Sequence, residues 1–134
     1  MRRYEIAVIP GGGIGLEVTP AAQAGLDAAG ARHGFALSYT EHPWGCDYYA
    51  QHGRMAPVNL RDALAPADAI LLGAVGCPGV PDHVSLWGLL IPIRRHFRQY
   101  VNLRPVQLFA GVPSPLREAD INVVIVRENN EGEY

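Results

Sequence analysis

Tyr4-Glu5-Ile6-Ala7-Val8-Ile9-Pro10-Gly11-Gly12-Gly13-Ile14-Gly15 lies near the start of the chain, and its reading decides the fold. Tyr4 to Pro10 has the marks of a buried strand: short, apolar, β-branched and stopped by proline. Glycines follow without a gap, and a helix is expected from about Glu17 to His33. Val18, Ala22, Gly25, Leu26 and Ala29 recur at helical spacing on one face. Pro20 falls in the first turn of that helix, where a missing N–H is tolerated. Gly34 marks the stop.

Strand, glycines and helix invite comparison with the dinucleotide fingerprint G-x-G-x-x-G. Gly11 and Gly13 fit, but Leu16 stands where the third glycine belongs, and Glu41 is the nearest candidate for the acidic residue that closes the second strand. The motif fails as a classical fingerprint. What it leaves is a tight turn whose glycines let the backbone pass close to something.

Outward from this stretch, Phe35 to Glu41 alternates apolar and polar and reads as a second strand. Trp44 to Gly53 reads as a turn and a short helix, with Tyr48, Tyr49 and His52 as packing and hydrogen-bonding groups. Leu60 to Ala65 is a short helix. Asp68 to Gly73 is a third strand, fully buried by its composition. The order β-α-β-α-β implies right-handed crossovers and a largely parallel sheet. Ligands bind such sheets beyond the carboxyl ends of the strands. Gly11–Gly15 and the second glycine loop, Gly73-Ala74-Val75-Gly76, therefore share one rim, extended by Cys77-Pro78-Gly79-Val80-Pro81.

A helix is expected from roughly Trp87 to Tyr100. Pro92 delays its regular part, placing Arg94 in the first regular turns and Arg94 and Arg98 on one face at i, i+4. Val101 to Leu108 is strand-like, with Pro105 at an edge or bulge. Gly111 to Asp120 is a polar, proline-rich connector, and Asn122 to Arg127 is a final strand.

Arg94, Arg104 and Arg127 each stand at the edge of an apolar run. A guanidinium donates two parallel hydrogen bonds to a carboxylate, so several converging on one pocket suit a small anion. Ordinary surface ion pairing is the competing reading, and for arginine it is the commoner role. Asp82, His83 and Ser85 lie too close in sequence for a nucleophilic triad.

The chain has 134 residues, a length that suits one domain. Charged residues make up 18%, below the roughly 25% usual for a globular domain, which favours buried strands or a surface meant to be covered. A net charge of −2 gives no electrostatic case for nucleic acid or an anionic membrane as partner. Cys46 and Cys77 form no CxxC and no metal spacing, so two free thiols in a reducing compartment are expected. No apolar run approaches the length of a membrane span, and no apolar run of the leader type follows Arg2-Arg3. A cytoplasmic location is the expectation.

The assembled motifs resemble the N-terminal part of the β-decarboxylating dehydrogenases, the family of isopropylmalate, isocitrate, tartrate and D-malate dehydrogenases. The resemblance rests on Ile9-Pro10-Gly11-x-Gly13-Ile14-Gly15-x-Glu17-Val18, Leu71-Leu72-Gly73-Ala74-Val75-Gly76, Asn102-Leu103-Arg104-Pro105, and Val126-Arg127-Glu128-Asn129-Asn130-Glu131-Gly132-Glu133-Tyr134. It runs the whole chain in order. Trp44 to Tyr49, Val84 to Leu90 and the terminal motif look most like the tartrate and D-malate branch.

The resemblance implies an α/β, isopropylmalate-dehydrogenase-like three-layer fold with a largely parallel sheet, incomplete here as an N-terminal fragment. It implies that residues 1–100 form part of a cofactor-side domain and that 101–134 begin a second, substrate and dimer domain. It implies NAD-dependent oxidation and decarboxylation of a 2-hydroxy dicarboxylic acid, with Mg or Mn, in a family whose complete chains are homodimers. Arg94, Arg104 and Arg127 match the family's carboxylate-binding arginines, and Tyr134 its catalytic tyrosine, a general acid. Ala74, Val75, Gly76 and Trp87 fall on the loop beside the nicotinamide. Two departures stand out. Gly12 occupies a position that is usually Asp in the family, and the lost carboxylate is expected to loosen that loop or to change a hydrogen bond there. The family's metal-binding aspartates and its lysine base belong to a later part of the chain, and this sequence contains no lysine. The chain alone is therefore expected not to turn over substrate, and its apolar faces are expected to drive association. The alternatives are a non-catalytic subunit that pairs with a full-length relative, and a simple anion-binding domain.

Overall fold

The computed structural model describes residues 1–115 and 120–131. The chain divides into two compact units, Met1–Ile93 and Arg94–Tyr134.

The first unit is built on a three-stranded parallel sheet in the order β2-β1-β3. These strands are β1 (Arg2–Gly11), β2 (Phe35–Glu41) and β3 (Ala69–Ala74), with α1 (Gly15–His33) crossing from β1 to β2. β1 is central, paired on both edges, and its Val8 and Ile9 are fully buried. Asp68 ties β3 to it: the Asp68 carboxylate accepts from the Glu5 N–H at 2.8 Å, and the Asp68 N–H donates to the Glu5 carbonyl at 2.8 Å. β3 is half-buried rather than fully buried as its composition suggested, because it is an outer strand of this sheet.

α1 departs from its expected form in two ways. It starts at Gly15, because Ile14 already has helical dihedrals and its carbonyl accepts from the Glu17 and Val18 N–H groups. Pro20 consequently sits in the second turn. The buried residues are Gly15, Thr19 and Gly30, while Val18 is 43% exposed. Small residues face the sheet because the helix lies close against it. A Cβ on Gly30 would meet the Phe35 carbonyl at 2.8 Å, and one on Gly73 of β3 would strike the Thr19 hydroxyl. Gly34 ends the helix as expected, left-handed at φ 77° with its N–H on the Gly30 carbonyl.

α2 (Cys46–His52) and α3 (Leu60–Leu64) lie between β2 and β3. A helical run follows β3: α4 (Asp82–Ser85), a π-helical turn (Leu86–Leu90) and α5 (Ile91–His96). The run begins earlier than Pro92 suggested. The Ile91 N–H reaches back five residues to the Leu86 carbonyl. That widened turn lets the chain pass Pro92, whose ring and missing N–H disrupt a regular α-turn. Leu89 in the π turn and Ile93 in α5 are buried.

In the second unit the helical run ends at His96, not Tyr100. Arg98 takes a left-handed conformation at φ 50°, its N–H on the Arg95 carbonyl, while the Gln99 N–H reaches the Arg94 carbonyl. This is a Schellman ending with arginine where glycine is usual. Arg98 is therefore outside the helix and does not share a helical face with Arg94. β4 (Val101–Gln107) and β5 (Asn122–Glu128) form an antiparallel pair without a break in register, so Pro105, opposite Val124, makes no bulge.

Candidate functional site

The arginines meet in the second unit. Asn102 faces Arg127 across the β4–β5 pair, and Arg104 faces Ile125. Side chains alternate along strands, so Arg104 and Arg127 project from the same face as diagonal neighbours, about 7–8 Å apart by general strand geometry. Arg94, at the first position of the unit, completes the group. Burial is the main cause that holds its guanidinium below the usual arginine range, and the charges of Arg127 and Arg104 lower it further. Three like charges within one another's field are unfavourable by themselves. A dianion among them removes that repulsion and gains charge-assisted hydrogen bonds.

The turn after β5 is pinned by Glu128. Its carboxylate accepts from the Asn130 N–H at 2.8 Å and the Glu131 N–H at 2.9 Å. The bond from Asn130 is the first cause that holds the Glu128 carboxyl below its usual range. The Asn129 N–H donates to the Tyr100 carbonyl. The buried side-chain oxygens of Asn129 and Asn130 have no hydrogen-bond partner among the described residues. Tyr134 lies outside the described residues.

In the first unit the two glycine loops meet at the carboxyl ends of β1 and β3. Gly11 pairs with Ala74, and the Gly12 N–H donates to the Ala74 carbonyl at 2.9 Å. A Cβ on Gly11 would strike the Ala74 carbonyl and lie 3.4 Å from Val75. Gly13 lies against the Gly76 carbonyl, and a Cβ on Gly76 would point into open space. Ala74, Val75 and Gly76 are thus brought to the glycine turn. Trp87 belongs to another element, the π turn, and is 51% exposed. The Gly12 amide is anchored on the Ala74 carbonyl, and a Cβ there would meet the Cys46 Cβ at 2.9 Å. That contact was not legible in the sequence, because no motif links Cys46 to the glycine loop.

The bare backbone at Gly76 leaves room for the close approach of a ligand. The described residues do not fit a divalent metal: no group of three or more His, Cys, Asp or Glu side chains comes together among them.

A strand-glycine-helix entry, a parallel sheet and an arginine triplet define a class. The family described as isocitrate/isopropylmalate dehydrogenase matches residues 5–134, and the chain belongs to it. D-malate dehydrogenase (decarboxylating) of Escherichia coli strain K12 is 54% identical over 139 residues, covering 100% of this chain and 38% of that protein. Tartrate dehydrogenase/decarboxylase of Pseudomonas putida is 54% identical, covering 98% and 37%. A crystal structure of a beta-decarboxylating dehydrogenase from Thermococcus kodakarensis superposes with a TM-score of 0.68 at 31% identity, covering 96% of this chain and 35% of that one. The fold is the α/β fold of these dehydrogenases. The chain spans less than two fifths of the length of the curated relatives it matches.

Proposed function

We propose that this chain supplies the carboxylate-binding and nicotinamide-side parts of an NAD-dependent dehydrogenase that oxidises and decarboxylates a 2-hydroxy dicarboxylic acid such as D-malate or tartrate. The observation that carries the reading is the arginine triplet, with Arg104 and Arg127 on one strand face and both charges acting on Arg94. The names of the relatives support the substrate class.

Arg94, Arg104 and Arg127 hold and orient the two carboxylates and offset their charge. NAD, when bound, supplies the hydride acceptor, beside the loop of Ala74, Val75, Gly76 and Trp87. Once the 2-hydroxyl has become a ketone, the carboxylate β to it can leave as CO2, because the ketone takes up the electron pair. Tyr134 then protonates the enolate. Mg or Mn, which the family resemblance implies, is assigned no residue of this chain. On this reading residues 1–100 belong to the cofactor side and 101–134 begin the substrate side. The complete protein pairs as a homodimer in the cytoplasm.

Calorimetric titration of the chain with tartrate, D-malate and inorganic phosphate tests the substrate class. Saturable binding of the diacids, well above that of phosphate, is expected. Equal weak binding of all three would reduce the arginines to a general anion site.

A further inference from the structure

The second unit holds a cavity of about 640 Å³, lined by Arg95, Arg98, Tyr100, Glu128, Asn130 and Glu131, that the dehydrogenase chemistry above does not use. None of Arg94, Arg104 and Arg127 is among these lining residues. Glu128 follows Arg127 in β5, so the two project from opposite faces of the strand pair. The walls are joined through Tyr100. Its N–H donates to the Arg98 carbonyl and its carbonyl accepts from the Asn129 N–H, each at 2.9 Å, which fastens the end of α5 to the turn after β5.

Three features of the cavity ask for a ligand. Arg98 occupies the left-handed ending of α5 at φ 50°, where glycine closes the turn at lower cost, and its side chain lines the cavity. A side chain kept at a strained backbone position points to a use for that side chain. Asn130 presents a buried side-chain oxygen with no hydrogen-bond partner among the described residues, an acceptor that lacks a donor. The charges are the third feature. Glu128 is engaged by the backbone N–H groups of its own turn. The Glu131 carboxylate and the Arg98 guanidinium have no partner among the described residues. Opposite charges thus face one cavity without pairing across it.

We propose that this cavity binds a free aromatic α-amino acid as its zwitterion. The Arg98 guanidinium takes the α-carboxylate. The Glu131 carboxylate and the Asn130 side-chain oxygen take the α-ammonium. The Tyr100 ring, 62% exposed, receives the aromatic side chain. A dicarboxylate would bring a second negative charge against Glu128 and Glu131, and an amine alone would leave Arg98 without its anion.

The site stands independently of the arginine triplet and is tested apart from it. The chain is titrated calorimetrically with L-phenylalanine, with phenylpropionate, which lacks the ammonium, and with phenethylamine, which lacks the carboxylate. Saturable binding of one L-phenylalanine per chain is expected, with each analogue about 10-fold or more weaker. Arg98→Gly suits the turn and keeps the fold. It should bind L-phenylalanine about 10-fold or more weakly and tartrate as the wild type does. Glu131→Gln should weaken L-phenylalanine and leave phenylpropionate unchanged. The proposal is overturned if L-phenylalanine does not saturate the chain, if phenylpropionate binds as tightly as L-phenylalanine, or if Arg98→Gly keeps wild-type affinity for the amino acid. Parallel loss of tartrate binding in Arg98→Gly would also overturn it, by making the cavity part of the diacid site.

Discussion

Gly45 shows how much a single missing methyl can decide. It sits at φ 138°, bridges to Gly11, and donates its N–H to the Met55 carbonyl at 2.9 Å. A Cβ there would run into the Gly11 carbonyl. Gly45→Ala therefore combines an unfavourable dihedral with a backbone clash, and a loss of about 2–4 kcal/mol is expected from urea unfolding midpoints. His42 lies nearby in sequence, its ring 4.4 Å from that of Trp44. Burial lowers its folded value from the usual 6.5. The unfolded chain then takes up the proton first as pH falls. Its contribution to stability is complete above about 6.5, declines between there and the lower folded value, and is level below it. Unfolding midpoints across that range should slope accordingly, and His42→Asn should flatten the slope.

Among the elements, the ones legible in the sequence were those whose signal is local. The apolar run of β1, its proline stop, and Gly34 at the end of α1 act through neighbours in the chain. The buried face of α1 was not legible, because Gly15, Thr19 and Gly30 pack by being small and carry no hydrophobic periodicity. Pro92 suggests a delayed helix, whereas the chain absorbs it in a π turn whose Leu89 is buried, a packing that local sequence does not reveal. The arginine triplet was legible as residues, but the shared face of Arg104 and Arg127 follows only from the β4–β5 register. The end of α5 offers a test at this scale. Arg98 holds a left-handed conformation that costs a side-chain-bearing residue roughly 1–2 kcal/mol. Arg98→Gly should raise the stability of the second unit by about 1 kcal/mol, read as slower amide exchange at Gln99 and Tyr100.

At the scale of the molecule, the two units differ in how well they cover themselves. β1 has fully buried residues, whereas Leu103, Val124 and Val126 on one face of the β4–β5 pair are 63%, 60% and 66% exposed. A two-stranded sheet alone is marginal in water, so this pair draws little stability from burial. The same strands carry Arg104 and Arg127, and the account requires them to act with Arg94 as one grip on a diacid. The direct test is the affinity of the chain for tartrate, measured by calorimetry at fixed ionic strength for the wild type and for Arg94→Gln, Arg104→Gln and Arg127→Gln. Charge-assisted hydrogen bonds contribute about 1.5–3 kcal/mol each, so every single variant should bind about 10- to 100-fold more weakly. Affinity unchanged in any one of the three variants would contradict a joint grip.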